Sequence, residues 1–67
     1  MQKEEKLHAL NIMRLAVNDA ANKVAIQHLA YHWSNRLDTH ISRLRGMLAV
    51  IEDILKVEMD KTEKLGG

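Results

Sequence analysis

Cysteine, proline and phenylalanine are all missing from this 67-residue chain, tryptophan and tyrosine occur once each, and glycine occurs three times. Without cysteine there is no disulfide staple and no thiolate metal site, and a reducing interior is the natural setting. The glycines are Gly46, Gly66 and Gly67, so residues 3–45 contain neither of the two strong helix breakers. No apolar run approaches the ~18–20 residues of a membrane span, and the start "MQKEEKLHAL" lacks the basic head and apolar stretch of a secretory signal. A cytoplasmic, soluble chain is expected. A one-sided charge is missing too: 10 Lys and Arg against 9 Asp and Glu give +1, so any basic behaviour must be local.

What remains is helix-forming. Ala, Leu, Met, Lys, Glu and Arg dominate, and β-branched residues are scattered singly, which predicts an all-α fold. Two apolar stripes follow a helical period. The first runs through Leu10, Met13, Val17, Ala20 and Val24, with Ala9, Ile12, Ala16 and Ala21 beside it. The second runs through Ile26, Leu29, Ala30 and Trp33 to Leu37, Ile41, Leu44, Leu48, Ile51, Leu55 and Met59. Extrapolated forward, the first is out of phase with the second by on the order of 130°. Such a slip fits either a turn near 18–23 or one unbroken helix with differently facing halves; Asn18, Asp19 and Asn22 are cap-forming residues, so the turn is expected. The reading is a helical hairpin with a short helix over about 3–20 and a long one over about 24–63. It forms one small domain, 1–67, frayed at 1–3 and 64–67. Gly46 falls opposite the stripe, as a glycine facing solvent.

A chain of this size buries only roughly 60% of its unfolded surface, and association is the common remedy. The long helix outruns the short one. A second copy would cover the excess through Leu37, Ile41, Leu44, Leu48, Ile51 and Leu55, giving a dimeric four-helix or coiled-coil-like bundle.

The stretch "HLAYHWSNRLDTHISRLR", residues 28–45, holds three of the four histidines and both aromatic residues. On a continuous helix, His28, His32, Arg36, His40 and Arg43 form one row, suited to an anionic or pH-dependent contact, with Tyr31 exposed nearby. His28 and His32 stand at metal-ligand spacing, but two imidazoles are too few for zinc, and no metal or cofactor is expected. Trp33 is expected on the core stripe, its indole N–H needing a partner. Ser34 and Ser42 lie near histidines without the elbow or oxyanion loop that nucleophilic catalysis requires.

Within that stretch, "SNRLDTHI", residues 34–41, resembles the Ser-x-x-Leu-Asp-x-x-Ile pattern in the second helix of the small helical-hairpin phosphatases that act on sporulation response regulators. Arg14 stands about where their first helix carries an arginine. The resemblance implies that Asp38 assists hydrolysis of an aspartyl phosphate, framed by Ser34 and Leu37. Their glycine-containing loop has no counterpart between Lys23 and Tyr31, and a long tail follows Ile41.

Weighed together, these features lead to a non-catalytic helical protein-interaction module. It would be a regulator, inhibitor or adaptor of the type bacteria, phages and plasmids encode, self-associating through the apolar stripe and meeting a protein partner through the His/Arg row and Tyr31. The alternatives are a helical dimer that binds RNA or DNA through the same row, and an accessory phosphatase.

Overall fold

The computed structural model describes residues 2–65. It contains two α-helices, α1 (Lys3–Ala30) and α2 (Asn35–Leu65), joined by a four-residue loop, and no strand among the described residues. The helices pack antiparallel along a rod of 50 × 15 × 14 Å. No helix among the described residues is long and apolar enough to cross a membrane. Of the ends expected to fray, Lys3, Lys64 and Leu65 are helical, and Met1, Gly66 and Gly67 lie outside the described residues.

The turn expected at 18–23 is not there. Residues 18–23 lie inside α1, and the chain reverses at 31–34, so the expected short and long helices become two of nearly equal length, 28 and 31 residues. Asn18, Asp19 and Asn22 face outward, and Lys23 closes a 3.0 Å ion pair with Asp19 one turn back. Cap-forming side chains are neutral on an exposed helix surface. Around them, Val17, Ala21 and Val24 supply an inward face in alanine-rich sequence of high helix propensity.

The reversal at 31–34 has its own local cause. Tyr31 ends α1 in an extended conformation, φ −129° and ψ 158°. Ser34 then starts α2 as its N-cap: its carbonyl accepts from Asp38 N–H at 2.8 Å and its Oγ from Leu37 N–H at 3.3 Å. Asp38 in the first turn of α2, and Glu4 and Glu5 in that of α1, suit the positive ends of the helix dipoles.

Each helix contributes a seven-residue repeat to the seam between them. On α1 it is Leu7, Leu10, Arg14, Val17, Ala21, Val24 and His28, and on α2 Asp38, Ile41, Arg45, Leu48, Glu52, Leu55 and Met59. His28 bonded to Asp38 beside the loop, and Lys6 paired with Glu58 at 3.8 Å far from it, fix the register. In that register Arg14 is level with Glu52, and Leu10 with Leu55. Among the described residues two apolar side chains are buried, Leu10 at 9% exposure and Leu55 at 5%. At about 2 kcal/mol for each fully buried leucine, that is a thin core for 67 residues.

Candidate functional site

The expected row of cations does not exist as one row. It required a continuous helix through residues 28–43, and the loop at 31–34 divides it: His28 is on α1, His32 in the loop, and Arg36, His40 and Arg43 on α2. His28 turns inward, its side chain 12% exposed, into the seam. Arg45 donates to His28 Nδ1 at 3.0 Å, so Nε2 carries the ring proton and donates to Asp38 Oδ1 at 2.5 Å. With both ring nitrogens engaged, His28 is part of the frame that closes the loop end. The spacing of His28 and His32 as neighbours on one helix turn is lost with the helix.

His32, Arg36, His40 and Arg43 are all exposed. Tyr31 and Trp33, expected on opposite sides of a helix, stack edge to face with ring centres 5.9 Å apart. Trp33 leaves the core stripe for the loop, 37% exposed, and its indole donates to the Gln27 carbonyl at 3.2 Å. The loop end of the rod therefore carries two aromatic rings with His32 and Arg36 close behind.

The residues expected to mediate self-association divide into two sets. Ile41, Leu48 and Leu55 face α1 in the seam. Leu37, Leu44 and Ile51 stand beside it, each about two-fifths exposed. They continue into Met47 at 61% and Ile54 at 56%, which together make a second seven-residue repeat on α2. In an antiparallel pair, positions flanking the seam on one side of each helix share one face. The Lys6–Glu58 ion pair identifies that face here. On α1 it carries Ala9, Met13, Ala16 and Ala20. The opposite face is polar, with Asn11, Asn18, Asn22, Ser42, Asp53 and Asp60, interrupted by Leu15 and Leu29.

A shallow apolar groove of about 320 Å³ opens on the apolar face near the loop, lined by Gln27 and His28 of α1, Trp33, and Leu37, Ile41 and Leu44 of α2. Two groups went unsuspected in the sequence: Arg45, and Glu52, which is level with the Arg14 of the phosphatase-like pattern. A strict seven-residue count from Asp38 to Met59 would have found Arg45 and Glu52, because both fall on it, four residues behind Ile41 and Leu48. Asp38 and Ser34, the residues of the phosphatase-like pattern, are engaged in structure: the carboxylate with His28, the hydroxyl with the N-terminus of α2.

In comparisons with known proteins, no family model, curated protein or solved structure matches the chain.

Proposed function

We propose that the chain is a non-catalytic helical interaction module, a small regulator, inhibitor or adaptor. Two copies pair through the apolar face into a four-helix bundle, and the loop end meets a protein partner. The apolar face carries this reading. Met13, Leu37, Leu44, Met47, Ile51 and Ile54 all lie more than two-fifths exposed on one side of the rod, while two apolar side chains are buried among the described residues. A folded monomer of 7.7 kDa has an accessible surface of about 4,300 Å². This one has 5,309 Å². The excess of roughly 1,000 Å² is close to the ~800 Å² that each partner buries in a standard interface.

The partner-binding set becomes Tyr31, His32 and Arg36 at the tip, with His40 and Arg43 one and two turns behind. His28 leaves it, because its ring is used within the hairpin.

Thermal unfolding followed by circular dichroism tests the pairing. Because association stabilises by mass action, the melting temperature should rise by several degrees over about a hundredfold increase in chain concentration. A melting temperature independent of concentration would overturn the reading.

A further inference from the structure

We propose that the two copies lie with their loops at the same end, α1 of each packing antiparallel against α2 of the other. This rests on the reading that the apolar face pairs two copies, and it names how they meet. Two hairpins stacked face to face can be related by a two-fold axis along the rod or by one across it. The first sets α1 against α2 of the partner with levels unchanged, so the register of the hairpin itself predicts what meets what. The second sets each helix against its own copy, end for end.

Size complementarity favours the first. On the apolar face α1 is lined by alanines apart from Met13, and α2 by large side chains. With the axis along the rod, Ala9 comes level with Ile54 of the other copy, Ala16 with Met47 and Ile51, and Ala20 with Leu44. Each small residue meets a large one, as close packing requires. With the axis across the rod, alanines meet alanines on one side while Leu44, Met47 and Ile54 crowd their own copies on the other.

Charge favours it independently. The outermost flank of the same face reads Glu5, Ile12, Asp19 and Ile26 on α1 and Lys64, Val57, Val50, Arg43 and Arg36 on α2, one residue every second turn. With the axis along the rod, Glu5 falls beside Lys61 and Lys64 of the other copy, Ile12 between Val57 and Val50, and Asp19 within one turn of Arg43. Lys23, already paired with Asp19 at 3.0 Å, and Gln27 lie across from His40. End for end, Arg36 would instead come level with Lys61, and Asp19 would lie over Ile12. Charge would meet like charge or an apolar side chain. The arrangement also accounts for Ile12, Val50 and Val57, exposed apolar residues that the hairpin alone leaves without a role.

It follows that His40 and Arg43 leave the partner-binding set for the dimer contact, and that the tip presents Tyr31, His32 and Arg36 twice, side by side. A partner would meet a two-fold surface of aromatic rings and cations at one end of the bundle.

The chain has no cysteine, so His32→Cys gives one labelling site per copy. With spin labels there, pulsed electron resonance should report a distance of roughly 20 Å between copies, set by adjacent helix spacing plus the label arms. A distance near the 50 Å length of the rod would overturn this arrangement and leave the dimer standing. A chain with no inter-copy signal and the mass of a monomer would overturn the dimer, and this arrangement with it. Charge exchange checks the same contact without a label. Asp19→Arg or Arg43→Asp alone should weaken the dimer roughly 3- to 10-fold, and the two together should restore most of it. Two losses that simply add would contradict the pairing of Asp19 with Arg43.

Discussion

The closed seam between α1 and α2 carries charged side chains along its length, whereas the face the hairpin leaves open is apolar through its middle and charged toward its ends. Arg14, His28, Asp38, Arg45 and Glu52 stand in the seam, whereas the open face presents alanine, leucine, methionine and isoleucine for most of its length. An isolated hairpin selected for its own stability would place its uninterrupted apolar stretch in the seam, since apolar area removed from water is the main stabilising term. The seam sets register through charged and hydrogen-bonded side chains, and on the proposed pairing the open face would supply the hydrophobic stabilisation. In the proposed dimer the short core of Leu10 and Leu55 would be half of a larger one.

Breaking the open face should have the largest effect. Leu44→Glu together with Ile51→Glu would place two carboxylates in the covered interface, and the dimer should weaken by about 100-fold or more in sedimentation equilibrium. Helicity should fall with it, because the remaining seam is thin. If the double variant associated as tightly as the parent, the face would have no part in assembly.

Breaking the seam comes next. Leu55→Ala should cost about 2–4 kcal/mol of unfolding free energy by urea titration, as expected for a buried leucine. The loop end is more local: Ser34→Ala removes the hydroxyl that accepts from Leu37 N–H and should cost about 1 kcal/mol. At the lower end, Gly46→Ala should stabilise by about 0.5–1 kcal/mol. A methyl group there meets nothing within 4 Å, and helix propensity alone decides the sign.

The helical class, the hairpin and the outward position of Gly46 were legible in the sequence, because they follow from residue types and from a period that holds over many turns. The place of the reversal was not. It uses no glycine, no proline and no positive φ among the described residues, only an extended Tyr31 and the Ser34 cap. Asn18, Asp19 and Asn22 advertised a cap more loudly, but the backbone there stays helical. Carrying Ile26, Leu29 and Ala30 forward into the second stripe drew the break toward the amino terminus, although Ile26 and Leu29 are exposed ends of α1.

The binding row fared as its helix did. Arg36, His40 and Arg43 remain on one exposed side of α2, where a period of three and four puts them, while His28 was displaced by a contact that spacing cannot show, the bond to Asp38 across the turn. The broad stripe on α2 merged two neighbouring faces. A stripe of mean width conceals that Ile41 and Leu48 look toward α1 while Leu44 and Ile51 look past it.

The most direct test is the mass of the chain in solution by light scattering, measured from low to high concentration. The account predicts twice 7.7 kDa at high concentration, falling toward 7.7 kDa on dilution. A particle of 7.7 kDa throughout, unfolding cooperatively, would show that one copy shelters its own leucines and would contradict it.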